Sequence, residues 1–299
     1  MRSKVSITLT ATALLLAAST VANADDRTFD RTVAAEQQGT VEISNVAGSV
    51  NIIGWDRAEV QVHAVMEEGV ERVDVSTSPG RTVVKVVLPN MSWHGGEAAV
   101  DVHVPKGSEV NATAVSADLT TTQLTGRQRL QTVSGELRAD VGGDRFEAKT
   151  VSGDMRLRGN AKPSEMRVSS VSGTITLDRG AGDVDASSIS GDVRLDVDPA
   201  TGVRLHSTSG ELIFRGSVAN NATVEAETVS GDVTLRSKAP QGFEYEASSF
   251  SGDIESCFGK QAEKVSAHGP GLRLNGTLGD GKGRVRVKSM SGDIELCDH

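Results

Sequence analysis

A short phrase built on Ser-Gly returns eight times along the chain, and it constrains the fold more than any other feature of the sequence. The copies are Val133-Ser-Gly-Glu-Leu, Val151-Ser-Gly-Asp-Met, Val171-Ser-Gly-Thr-Ile, Ile189-Ser-Gly-Asp-Val, Thr208-Ser-Gly-Glu-Leu, Val229-Ser-Gly-Asp-Val, Phe250-Ser-Gly-Asp-Ile and Met290-Ser-Gly-Asp-Ile. A degenerate copy, Val115-Ser-Ala-Asp-Leu, opens the series, and successive serines lie 18, 18, 20, 18, 19, 21, 21 and 40 residues apart. A period near 20 residues is the mark of stacked repeats, each too small to bury its own apolar face without neighbours above and below. The last gap reads as two periods, with the missing copy degraded to Gly269-Pro-Gly-Leu272.

On both sides of the phrase apolar and polar residues alternate, as in Val224-Glu-Ala-Glu-Thr228 before it and Val233-Thr-Leu235 after it. Alternation of period two predicts strands with one buried face, and no window gives a comparable helical period. The expected fold is therefore all-β: a single-chain β-solenoid (β-helix) of coils of about 20 residues. Ser-Gly marks the corner where the inward parity breaks, with glycine supplying backbone conformations closed to other residues. Two positions before each motif serine stands Thr132, Thr150, Ser170, Ser188, Ser207, Thr228, Ser249 or Ser289. Parity points this hydroxyl column inward, where each member needs a hydrogen-bond partner.

Residues 115–299 read as the regular repeats and 25–114 as irregular β coils and a cap, continuous with them. In the irregular part, alternation predicts strands over Thr40–Ile53, Glu59–Val65, Glu71–Val75, Arg81–Leu88 and Ala98–Val104. Residues 1–24 carry Arg2 and Lys4, then an uncharged stretch from Val5 to Ala22, and close on Ala22-Asn-Ala24 ahead of two acids. That is the pattern of a secretory signal peptide, so the expected location is exported, periplasmic or secreted to the cell surface. No later segment approaches the roughly 18 apolar residues of a membrane span.

Without Arg2 and Lys4 the chain holds 29 Lys and Arg against 40 Asp and Glu, a formal charge of −11. Nucleic acid and anionic membrane are poor partners for such a surface. At this point the chain resembles the bacterial family known as putative adhesins with β-strand repeats. The resemblance is carried by the Val-Ser-Gly-Asp repeats, by Gly48-Ser-Val-Asn-Ile-Ile-Gly-Trp55-Asp with Glu59-Val-Gln-Val after it, and by Val102-His-Val-Pro-Lys-Gly. It covers roughly residues 40–299 and implies the repeat architecture and an envelope location. It brings no catalytic residues with it.

The residue after each motif glycine is usually acidic: Glu136, Asp154, Asp192, Glu211, Asp232, Asp253 and Asp293, with Thr174 the exception. Stacked at about 4.8 Å, these carboxylates make an outward column. It reads either as an edge for calcium or a cationic ligand, or as turn acceptors diluted by Arg138, Arg156 and Arg194. The alternating oxygen ligands of a dedicated calcium loop are missing, and the expected cofactor and metal complement is none. Gly276-Thr-Leu-Gly-Asp-Gly-Lys282 nearly spells a phosphate loop, but Gly283 stands where Ser or Thr must hold the metal, so it reads as a turn. Histidines 63, 94, 103, 206, 268 and 299 show no ligand spacing.

No catalytic site is expected, although sugar-cleaving enzymes also use stacked β coils. Those bring long loops with clustered acids and aromatic platforms, whereas aromatics here are 3% of the chain and Trp55 and Trp93 lie outside the repeats. The expected function is a non-enzymatic envelope protein, adhesin-like in binding or assembly, whose partner is an envelope protein or a glycan. A structural scaffold is the alternative.

Cys257 and Cys297 are the only cysteines, each six residues after its motif serine and outward by alternation. An oxidising compartment permits a disulfide between them. An intervening coil would hold their Cα atoms near 9.6 Å, beyond the roughly 7 Å limit. A bridge therefore requires the glycine-rich segment between them to loop out, and two free or intermolecular thiols are the alternative.

Overall fold

The protein is described by a computed structural model covering residues 27–89, 96–238, 242–267 and 269–298; the expected leader, Trp93 and three histidines (94, 268 and 299) lie outside them. The described residues are all-β, with 22 strands in one hydrogen-bonded sheet and no helix. Among them no helix is long and apolar enough to cross a membrane.

From Gln128 onward the strands form two parallel ladders, one before the Ser-Gly corner and one after it. On the first, Leu130, Ala148, Val168, Ala186, Leu205 and Ala226 sit in register on successive strands. On the second, Leu137, Met155, Ile175, Val193, Leu212 and Val233 do the same. All twelve are buried. These registers explain the period: one repeat crosses both ladders, and the next covers it one strand spacing away. Burial of many Val, Leu and Ala side chains, each about 1–3 kcal/mol when complete, holds ladders whose strands would not persist alone.

Thr40–Trp55 precedes the series and pairs in parallel with Glu109–Thr122. Its other edge carries Arg81–Val87 and Ala98–Pro105. These are covered by antiparallel neighbours, Arg72–Ser78 on the one and Glu59–Met66 on the other, with Thr28–Ala34 outermost. Five of these strands lie where alternation places them; Thr28–Ala34, mostly exposed, carries too few apolar residues to announce itself.

At the other end the order of levels departs from the order of the sequence. Gly283–Ser291 and Ile294–Cys297 insert between Leu212–Ser230 with Val233–Lys238 on one side and Gly242–Ser251 with Ile254–Ser256 on the other. The level of Met290 thus lies between those of Val229 and Phe250. The 40-residue gap is not a lost coil. Gly269 to Leu272 belongs to the approach to Leu272–Gly279, which runs antiparallel along Gly242–Ser251 and closes the ladder. Gly276 to Lys282 is the end of that strand and a turn around Asp280, with no helix after it.

Candidate functional site

The corner is built differently in the two halves of the ladder. In the first half, Thr132, Thr150, Ser170 and Ser188 are buried, and each hydroxyl oxygen accepts the N–H of the glycine three residues on, at 3.1, 3.0, 2.7 and 2.8 Å. In the second half the glycine N–H turns to a neighbouring level instead, as from Gly231 to the Ser291 carbonyl at 3.0 Å. Strands there continue two residues beyond the hydroxyl, to the motif serine, before they break at the glycine. Ser249 and Ser289 then donate to glycine carbonyls at 3.1 and 3.5 Å, while Ser207 Oγ and Thr228 Oγ1 are buried without a partner.

The reason for glycine also differs from the expected one. Gly153 has an ordinary φ, but a Cβ there would collide with the Gly135 carbonyl of the preceding level. Close approach of stacked backbones, rather than a special dihedral, excludes a side chain. At Gly231 both reasons apply, because φ is +155° and a Cβ would meet the Gly210 carbonyl.

The acidic column uses its carboxylates between levels. Asp118, Asp154, Asp192, Asp232 and Asp293 each accept, through Oδ1, the backbone N–H of the equivalent residue on the next level at 2.8–3.0 Å. Arg194 bridges Asp192 and Glu211 at 2.8 and 3.0 Å, and Arg138 and Arg156 both bind Glu136. Among the described residues no group of three or more potential metal ligands converges. The histidines are dispersed too: His63 Nδ1 lies 2.8 Å from Asp30, and His103 packs against Trp55.

What the inward hydroxyl leaves outside is the apolar residue beside it. Val46, Val115, Val133, Val151, Val171, Ile189, Val229, Met290 and Phe250 are 38–60% exposed, one to a level, with exposed Thr208 completing ten levels between Ile189 and Val229. The ladder registers stack them into a ridge about 43 Å long at the ordinary strand spacing. Sequence reasoning saw the column but missed its exposure, although alternation from the inward hydroxyl already required it.

At its far end the ridge borders an open groove of about 930 Å³. It is lined by Val229, Met290 and Phe250, by Val265, Pro270 and Leu272, and by the polar side chains of His206, Glu227 and Lys288. Lys288 Nζ donates to Glu227 at 2.8 Å. That bond, against partial desolvation, holds the Glu227 carboxyl below the usual carboxylate range, helped by the charges of Lys288, His206 and Arg286. The charged groups of the groove thus satisfy one another. The two orphan hydroxyls, Ser207 and Thr228, lie in its floor.

The model of the Toastrack DUF4097 family matches residues 20–297, the whole of this ladder with its ridge, groove and caps. The chain belongs to that family. No curated protein matches it. Solved structures similar to this Toastrack chain include a putative adhesin from Bacteroides fragilis, 10% identical, covering 90% of this chain and 96% of that one at a TM-score of 0.33. A putative lipid binding protein from Parabacteroides distasonis is 10% identical over 91% of this chain and 97% of its own, at a TM-score of 0.31. A putative cell adhesion protein from Clostridium sporogenes is 12% identical over 91% and 100%, at 0.23.

The Toastrack ladder also brings together the two cysteines. Ile254–Ser256 pairs directly with Ile294–Cys297, so Cys257 and Cys297 are bonded with their Cα atoms 4.9 Å apart. The segment between them does loop out, as the bridge required. Cys257 is exposed as alternation predicts, whereas Cys297 is buried.

Proposed function

We propose that this chain is an exported, non-enzymatic binding or assembly module, adhesin-like in role, with its coils stacked as a β-solenoid and its apolar ridge as the contact surface. The observation that carries the reading is the ridge itself. Nine apolar side chains stand exposed in one line, interrupted at Thr208, an arrangement that soluble proteins rarely keep without a use for it. A rigid spacer has no need of such a line, which favours contact over a purely structural role. Charged groups in the groove that neutralise one another support a non-catalytic reading. Export is supported by the Cys257–Cys297 bond, a feature of oxidising compartments, together with the leader pattern of residues 1–24.

The test replaces Val133, Val151 and Val171 with Thr, the residue the chain already carries at position 208. Exported wild-type protein should bind saturably to envelope fractions of its own host, and the triple variant should bind at least tenfold more weakly. Equal binding by both would remove the ridge from the function. Recovery of the disulfide-free chain in the cytoplasm alone would remove export.

A further inference from the structure

Among the molecule's other features, the groove is self-neutralised and the acidic column is consumed by backbone donors and arginines. The ridge is the surface left unsatisfied, and its geometry restricts what can cover it. Its side chains repeat at about 4.8 Å over ten levels. A helix laid along it repeats at about 5.4 Å per turn and drifts half a step out of register within about four levels. An extended strand repeats on one face at about 6.7 Å and fails sooner. Another ladder of the same rise stays in register along the whole length.

We propose that the ridge is a self-association surface and that its occupant is a second copy of this chain; the inference rests on the contact reading above and deepens it. The flanks set the arrangement. Chain direction across the ladder places on one side of the ridge a row that is mostly uncharged, with one member per level; it carries Lys149 and Lys288 and a single acid, Glu227, which Lys288 binds. The acidic column lies on the other side. A two-fold axis parallel to the ladder sets each copy's acids against the other's mostly uncharged row and so avoids repulsion. An axis across the ladder sets acid over acid. The parallel arrangement is therefore favoured, and each ridge packs into the trough between the other's ridge and that flanking row. At the last levels that trough deepens into the groove, which receives Phe250 and Met290 of the second copy.

The ridge alone supplies about half the area of an ordinary specific interface. A stripe about 43 Å long and about 10 Å wide offers on the order of 400 Å² of apolar surface per copy. The flanking rows raise the contact toward the roughly 800 Å² per partner of an ordinary specific interface.

The full exported chain is tested by light scattering after size exclusion and by cross-linking. The wild type should have the mass of two chains at micromolar concentration and above. Val151→Lys combined with Val171→Lys should give the mass of one, with the melting temperature of the wild type diluted to its monomer. Val133→Cys and Val229→Cys, made separately, should each cross-link to themselves under mild oxidation. A mixture of the two should show no preference for the mixed product. A monomer at every concentration, or a dimer indifferent to the Lys variant, overturns the proposal; preference for the mixed product overturns its parallel axis. A monomer whose envelope binding still depends on the ridge leaves the contact reading standing without self-association. A ridge-dependent dimer whose envelope binding ignores the ridge does the reverse.

Discussion

The levels from Val133 to Ile189 and those from Thr208 to Met290 repeat the same phrase and bury equivalent side chains, yet close their corners by different means. In the first group the glycine N–H is satisfied within its own corner, by the hydroxyl three residues before it. In the second, corners are satisfied between levels and two hydroxyls are left over. A repeat can therefore keep its sequence while its hydrogen bonds change from local to shared. The shared form adds to the serine N–H bonds that already join levels in the first half, and there the chain adds a disulfide and inserts its last strands out of sequence order.

That difference can be broken most severely at glycine. Gly153→Ala places a methyl group against a carbonyl that cannot retreat, and should cost about 3 kcal/mol. Gly231→Ala adds an unfavourable φ and should cost more, about 4 kcal/mol or above. Urea unfolding of both variants checks the ranking, and a tolerated Gly153→Ala would show that the levels are not in contact there.

Next in size is the bridge. Cys257→Ser with Cys297→Ser opens a closed loop spanning 40 residues and should lower stability by about 2–4 kcal/mol. Hydrogen exchange should accelerate in Gly283–Ser291 and Ile294–Cys297 while Arg145–Thr150 keeps its protection. Uniform acceleration would mean that the two halves unfold as one unit.

The corner hydroxyls sharpen the contrast further. Thr150→Val removes the acceptor of the buried Gly153 N–H and should cost about 1–3 kcal/mol. Thr228→Val removes an oxygen that has no partner and should be neutral or stabilising by up to about 1 kcal/mol. Equal costs would erase the distinction between the two corners.

The smallest effect concerns pH. The Glu227 carboxyl is depressed by Lys288, so its contribution is present above the ordinary glutamate value of about 4.3 and is lost as pH falls through the depressed one. With side chains 53% and 38% exposed, the pair should contribute under about 1 kcal/mol. Glu227→Gln should flatten the acid limb of the stability curve below about pH 5 by that amount, measured from urea midpoints against pH. An unchanged limb would mean that the pair does nothing.

The ladders were legible in the sequence because alternation and a 20-residue period leave a chain few ways to bury Val193, Leu195, Val233 and Leu235. The hydroxyl column was legible for the same reason, by parity. The insertion of the last strands was not, since the register of Ile294 against both Val233 and Ile254 depends on which edges stand open when that segment arrives. The cysteines carried the one hint, because their bond needed strands that sequence order would have separated. The ridge was within reach of parity but was read only as a corner; its exposure follows once Thr132 or Ser170 is placed inside.

The central claim is that the ridge serves contact and not the fold, and urea unfolding of the Val133→Thr, Val151→Thr, Val171→Thr variant tests it most directly. Threonine keeps the branched shape and strand preference, so exposed side chains should lose almost nothing. Compared at concentrations where both proteins are monomeric, an unfolding free energy within about 0.5 kcal/mol of wild type per substituted position is expected; a loss of several kcal/mol there would mean that these residues hold the fold and would contradict the account.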